Sequence, residues 1–275
     1  MNAEREPKLR VLLSWSGGKD SALALWALQR MPAVSVTGLI TTLTRDFDRI
    51  SMHGVRRVLL EQQVESLGLP LHRVEIGRAA SNEDYERALA GELVAQREQG
   101  TRVIAFGDLF LEDVRAYRER LLARYALSGL YPLWGRDTHA LMREFIALGF
   151  QAVVVCVDPA KLPAEFAGRA IDQRFLDDLP PEVDPCGENG EFHSFVYAGP
   201  MFAFPIEFTR GETVTRDGFC FCDLLPCDRR LSPALQDGDC YYEAGRMVFS
   251  ASYHLRRGFC CGSGCRHCPY PSTVG

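Results

Sequence analysis

Short apolar runs alternate along this chain with longer stretches whose apolar residues recur at helical spacing. Val11 to Leu13 is an apolar run, and Ala22 to Leu28 is an Ala- and Leu-rich segment with helical periodicity. Val34 to Thr42 reads as a second strand. Val55, Val58, Leu59 and Leu67 mark a helix closed by Gly68 and Pro70, and Leu71 to Ile76 alternates as a third strand. Ser81-Asn82-Glu83-Asp84 predicts the cap of a helix ending near Gly100, and Arg102 to Phe106 predicts a fourth strand. Strands and helices alternating at these lengths predict an α/β fold, a doubly wound parallel sheet covered on both faces.

Further on, Leu121 to Leu130 finishes the next helix, and Tyr131 to Gly135 makes a short apolar crossing. Leu141, Met142, Phe145 and Ile146 mark another amphipathic helix, which leads into the wholly apolar strand Ala152 to Val157. Phe219 to Asp223 alternates like a strand, and Asp239 to Tyr242 with Met247 to Ser252 reads as a hairpin. We divide the chain into residues 1–130, 131–235 and 236–275, with the middle part a second, smaller α/β domain and the last a short cysteine-rich tail.

Composition narrows the functional classes. The chain has 275 residues, enough for a substantial core, and no run near the roughly 18 apolar residues of a membrane span. The opening MNAEREPKLR lacks the apolar centre of a signal peptide, so a cytoplasmic protein without a membrane partner is expected. A net charge of −5 argues against a generic nucleic-acid binder. None of the ten cysteines lies in the first 155 residues. In a cytosolic chain they are metal ligands or reactive thiols sooner than disulfides.

Three stretches carry chemistry. The first is Ser16 to Ser21, SGGKDS, between the first strand and its helix. Gly17 and Gly18 allow positive φ and close backbone approach, so that N–H groups converge on an anion at the helix start; Lys19 adds a charge, and Ser16 and Ser21 add hydroxyls. It is not the Walker loop, because Asp20 follows the lysine, nor is it GxGxxG. At the end of the fourth strand Gly107 and Asp108 lead to Glu112, Asp113 and Arg115, where an acidic first turn also suits the helix dipole. The second stretch, Asp184 to Ser194 (DPCGENGEFHS), is a polar loop. It gathers Asp184, Cys186, Glu188, Asn189, Glu191 and His193, which offers carboxylates for a metal or an amine, an imidazole for proton transfer, and a thiol.

The third stretch is the tail GFCCGSGCRHCPY, with Cys260, Cys261, Cys265, His267 and Cys268 inside nine residues. Glycines between the cysteines make a tight knuckle that directs several thiolates at one ion. CxxxCxxC is also the cluster spacing of radical SAM enzymes, but there it opens a barrel domain and here seven residues follow Cys268. Zn2+ and an iron–sulfur cluster are both chemically allowed, with zinc favoured for an isolated terminal knuckle. Cys220, Cys222, Cys227 and Cys240 could supply a fourth ligand or form a second site, but cysteines alternating along an apolar strand pack more often as small hydrophobes, and the four stay outside the ligand set.

SGGKDS after an apolar strand resembles the PP-loop of the ATP pyrophosphatases, in the HUP-like, adenine nucleotide alpha hydrolase-like superfamily. Gly107-Asp108 with its acidic and arginine followers and the CGENGE run are similar to motifs of the diphthine–ammonia ligases, enzymes that complete diphthamide on elongation factor 2. Gly168-Arg169, Gly199-Pro200 and Pro205-Ile206 fit as well, so the likeness runs from about Val11 to Leu225. Phe192-His193 stands where that family carries a Tyr-Glu pair. The tail is not general to the family and resembles a small CCGxGCRHCPY module attached to other proteins.

This resemblance implies an ATP-dependent ligase. An acceptor carboxylate attacks the α-phosphorus, pyrophosphate leaves, and ammonia displaces AMP. Ser16, Gly17, Gly18, Lys19 and Ser21 would hold the phosphates and Asp20 would help place Mg2+. Asp108, Glu188, Glu191 and His193 would serve the acceptor and ammonia side. The acceptor would be an elongation factor 2-like protein or a small carboxylate, and a homo-oligomer is allowed. Two rivals remain at this point: a PP-loop enzyme that thiolates tRNA, favoured by the tail and opposed by CGENGE and the acidic charge, and a non-enzymatic ATP-binding sensor.

Overall fold

Three fully buried residues, Val11, Leu12 and Leu13, seed the centre of the larger sheet. The computed structural model describes residues 7–44, 49–50, 54–77, 81–227, 236–243, 246–257 and 265–269. In chain order the larger sheet and its helices are β1 (Leu9–Ser14), α1 (Lys19–Gln29), β2 (Val34–Thr44), β3 (Arg49–Ile50), α2 (Arg57–Leu67), β4 (Leu71–Ile76), α3 (Asn82–Glu98), β5 (Val103–Ala105), α4 (Glu112–Ala123) and β6 (Ser128–Leu130). The strands run parallel in the order β4-β2-β1-β5-β6, and β3 pairs antiparallel with the end of β2. α2 ends at Gly68 in the left-handed region, and α3 opens on a capping box in which Ser81 and Asp84 satisfy each other's backbone N–H groups.

After α4 the structure departs from the helix that the apolar spacing predicts. That helix stops at Ala123 instead of continuing to Leu130, and Ser128–Leu130 is a parallel strand beside β5. Leu121, Leu122, Leu127 and Leu130 imitate helical spacing, but Ala126 takes φ 52°, which no helix continues.

The second sheet is antiparallel, in the order β8-β7-β10-β9. It follows α5 (Thr138–Ala147) and comprises β7 (Gln151–Val157), then, after α6 (Gln173–Asp177), β8 (Phe192–Ala198), β9 (Phe208–Arg216) and β10 (Phe219–Pro226). Here the polar loop is shorter than expected, because Phe192, His193 and Ser194 already belong to β8. Cys220 and Cys222 are buried in the core, as their alternation predicted. One continuous cluster of buried side chains runs from Val11, Leu23 and Leu59 through Phe145 and Val153 to Phe195 and Leu224. A second cluster, with Leu12, Ile40, Leu93 and Ile104, fills the opposite face of the parallel sheet.

The chain divides into two compact units, Met1–Pro226 and Cys227–Gly275. The smaller unit contains the hairpin β11 (Cys240–Glu243) and β12 (Arg246–Phe249), followed by α7 (Ala251–Arg257). The hairpin was legible but its end was not. Ser250 caps α7 by accepting from the Tyr253 N–H at 3.4 Å, so Ser252 is helical. Among the described residues no helix is long and apolar enough to cross a membrane.

Candidate functional site

Parallel sheets collect their loops at the carboxyl ends of the strands, and the loops after β1 and β5 meet there. Leaving β1, the chain turns through Gly17 at φ 77° and enters α1 from Gly18. The Gly18 N–H donates to Ser16 Oγ (3.2 Å), Ser21 Oγ donates to the Gly18 carbonyl (2.9 Å), and the two hydroxyls lie 3.3 Å apart. Such a turn presents backbone N–H groups and the positive end of the helix dipole at one point, which suits phosphate.

Lys19 is only 2% exposed. Its Nζ lies 2.8 Å from Asp20 Oδ2 and 5.2 Å from the centroid of the Phe192 ring. Burial works against the ammonium, but Asp20 and, to a smaller extent, Cys186 and Glu188 together outweigh it, and the Lys19 pKa is raised. Burial likewise pushes the Asp20 carboxyl upward against the pull of Lys19. Asp20 Oδ1 is buried without a hydrogen-bond partner among the described residues. Gly107 closes over this point: a Cβ there would stand 2.8 Å from the Asp20 carbonyl carbon, so no side chain fits.

Asp108 Oδ1 pairs with Arg118 at 3.2 Å, and its Oδ2 is another buried oxygen without a partner among the described residues. Burial raises this carboxyl too. The next N–H, that of Leu109, donates to Glu188 Oε1 at 2.8 Å, which brings the 184–191 loop to the mouth of the glycine loop. Burial, and then the nearby Asp20 carboxylate, push Glu188 up to about 7. Within the loop the Glu188 N–H donates to Asp184 Oδ2 (2.9 Å), while the Asp184 N–H and Asn189 Nδ2 donate to Glu191 Oε1 (3.2 and 3.1 Å). Glu191 is therefore the loop's internal tie, buried, with Oε2 lacking a partner among the described residues. Cys186 is buried and its thiol is pushed well above its ordinary value by burial, so it is no nucleophile near neutrality.

β8 holds the glycine loop from the other side. The Val196 N–H donates to the Gly17 carbonyl (2.9 Å), and Gln63 Nε2 donates to the carbonyls of Gly17 (3.0 Å) and Val196 (2.5 Å). Gln63 Oε1 in turn accepts from the Trp15 indole (3.1 Å), and Ser194 Oγ accepts from the Lys19 N–H (3.1 Å). Side chains alternate along a strand, so Phe192 and Ser194 face the loop and His193, paired in register with Cys156, faces the other way.

The structure thus gathers Ser16, Gly17, Gly18, Lys19, Asp20, Ser21, Asp108 and Glu188. It places Glu191 inside the loop and turns His193 aside. Gln63, Ser194 and Arg118 escaped the sequence reading. A trace of Gln63 was there: a glutamine on the apolar stripe of a helix with Leu59, Leu60 and Val64 needs a buried partner. A cavity of about 300 Å³ opens beside the site at the ends of β1, β2 and β5, lined by Ser14, Thr41, Thr42, Tyr85, Phe106 and Arg118.

In the smaller unit, Tyr241 Oη and His267 Nε2 are hydrogen-bonded at 2.8 Å, and the Cys268 N–H donates to the Cys265 carbonyl (3.1 Å), forming a tight turn. Cys260 and Cys261 lie outside the described residues. Among the described residues no group of three or more His, Cys, Asp or Glu side chains is placed to hold a metal.

Comparison with known proteins gives matches along most of the chain. Residues 9–128 match the diphthamide synthase N-terminal domain and residues 137–225 the diphthamide synthase C-terminal domain. Residues 232–273 match a family of unknown function (DUF5522). A diphthine–ammonia ligase of Danio rerio is 28% identical over 235 residues, 78% of this chain and 91% of that protein. The Homo sapiens protein of that name is 27% identical over 240 residues, 78% of this chain and 88% of its own length. The Schizosaccharomyces pombe protein of that name is 24% identical over 244 residues, and the match covers 80% of this chain but 39% of that longer protein.

Proposed function

The chain belongs to the diphthamide synthase family, and from that premise we propose that it is an ATP-dependent ligase of the diphthine–ammonia ligase type. The observation that carries the reading is the hydrogen bond from the Leu109 N–H to Glu188, which joins the loop after β5 in the first matched segment, packed through Gly107 on Asp20 of SGGKDS, to the CGENGE loop of the second. In this reading residues 1–130 bind ATP, residues 131–235 present the acceptor loop, and residues 236–275 are an accessory module of a cytoplasmic enzyme.

The loop N–H groups, the Ser16 and Ser21 hydroxyls and Lys19 bind the phosphates, and the adenosine occupies the cavity beside Ser14 and Thr41. A carboxylate of the acceptor, an elongation factor 2-like protein or a small molecule, attacks the α-phosphorus. The P–O bond to pyrophosphate breaks, and the helix dipole and Lys19 stabilise the charge that leaves. Mg2+ fits Asp20, whose Oδ1 is buried without a partner among the described residues; when bound with the nucleotide it neutralises phosphate charge. Glu188 takes the proton of an ammonium ion, and the ammonia attacks the acyl carbon as AMP departs.

ATP–pyrophosphate exchange in the presence of the carboxylate acceptor tests the reading, with AMP and pyrophosphate as the expected products. Release of ADP and phosphate would refute it. Lys19→Ala removes the one lysine at the phosphates and is expected to weaken ATP by about 1.5–3 kcal/mol, the range of a charge-assisted contact. The tail is also read as a metal knuckle, held by Cys261, Cys265 and Cys268 with Cys260 or His267. Its residue types and spacing support this, and elemental analysis of anaerobically purified protein decides between zinc, iron with sulfide, and no metal.

A further inference from the structure

The first N–H groups of a helix have no partner inside it, and at α1 the foremost of them is that of Lys19. It is one of the donors a phosphate at this helix start would use. In the structure that N–H ends on the side chain of Ser194, at 3.1 Å and across 175 residues of sequence. Ser194 is 2% exposed, and its strand cannot drift: the Val196 N–H and Gln63 hold the Gly17 carbonyl, and Phe192 underlies Lys19. A hydroxyl can accept in one state and donate in another by rotating about its C–O bond, whereas a phosphate oxygen only accepts.

Building on the ligase reading, we propose that Ser194 is a phosphate ligand lent to the glycine loop by the second sheet: its hydroxyl holds the Lys19 amide until ATP arrives, then donates to the phosphate oxygen that takes that amide. An oxygen bound to the amide lies within reach of a hydroxyl already 3.1 Å from the same nitrogen. Because Ser194 follows Glu191 by three residues on the strand leaving the 184–191 loop, occupancy of the nucleotide loop is felt directly at the acceptor side.

The test uses the full chain with Ser194→Ala, Ser194→Cys and Ser194→Thr, titrated with inorganic pyrophosphate, AMP and a non-hydrolysable ATP analogue bridged by methylene between the α and β phosphates. Loss of a hydrogen bond to a charged group predicts that the Ala and Cys variants weaken for pyrophosphate and the analogue by about tenfold or more. AMP affinity should hold within about twofold, and Thr, which keeps the hydroxyl, should restore binding. Cys fills the serine's space with a weak donor, so it carries the test if Ala fails to fold. Unchanged pyrophosphate affinity in these variants overturns the proposal. So does an equal loss for AMP and pyrophosphate with a lowered melting temperature, which would make the hydroxyl only a peg between loop and strand. A wild-type chain that binds neither pyrophosphate nor the analogue overturns both this proposal and the ligase reading. One that binds them but yields ADP from ATP overturns the ligase reading alone.

Discussion

Glu188 meets two opposing demands, since the burial that places it at the mouth of the glycine loop also resists its ionisation. Its folded value of about 7 stands above the ordinary 4.5. A raised carboxyl costs stability as pH rises: below the ordinary value the group is neutral whether the chain is folded or not, and through neutrality the folded chain must accept the charge. Glu188→Gln keeps an acceptor for the Leu109 N–H and never ionises. Thermal melts should therefore show the variant gaining over wild type as pH goes from 5 to 8, by ~2 kcal/mol. The same variant should lose amidation at least tenfold at pH 8. Destabilisation at both pH values would remove Glu188 from this role. Single residues were legible where neighbours in sequence are also neighbours in space: the six residues of SGGKDS follow one another through one turn. Gln63 and Ser194 were not, because their partners on the loop lie 46 and 175 residues away.

At the scale of elements, the loop after β5 shows how tightly the site is built. Gly107 packs on the backbone of Asp20 and Ser21, where a methyl group would meet atoms at 2.8 to 3.0 Å. Because those atoms are main chain, they cannot swing away as a flexible side chain would. Gly107→Ala should pry β5 from the start of α1 and lower stability by about 1–3 kcal/mol, the usual cost of overpacking. Because the displaced backbone is the loop proposed to hold phosphate, ATP affinity should fall in parallel. Denaturant melts and nucleotide titration check both, and a variant with wild-type values in each would show that the loop has slack. Strands and helices with their own punctuation were legible: α2 is closed by Gly68 and Pro70, β4 follows as an alternating run, and α3 opens on its capping box. β6 was hidden because Leu127 and Leu130 continue the helical spacing of Leu121 and Leu122, and the backbone turn at Ala126 separates it from α4. β9, largely exposed on one edge of the second sheet, has too few apolar residues to announce itself.

For the whole molecule, the division at Pro226 predicts that the smaller unit is separable. A chain ending at Pro226 should unfold in one cooperative transition and bind ATP within about twofold of the full protein. Broad, multistep melting of the truncated chain would count against this. The larger unit behaves differently. Its two family segments abut near residues 129–136, yet one buried cluster passes through both, from Val11 and Leu25 to Val155 and Phe195. Parting them would strip water-excluding neighbours from each side at once. A gene severed in this region should therefore give two polypeptides that precipitate when made singly and restore ATP binding when made together. Fission would thus leave each half dependent on the other's synthesis, so these two segments are expected to be inherited as a single reading frame.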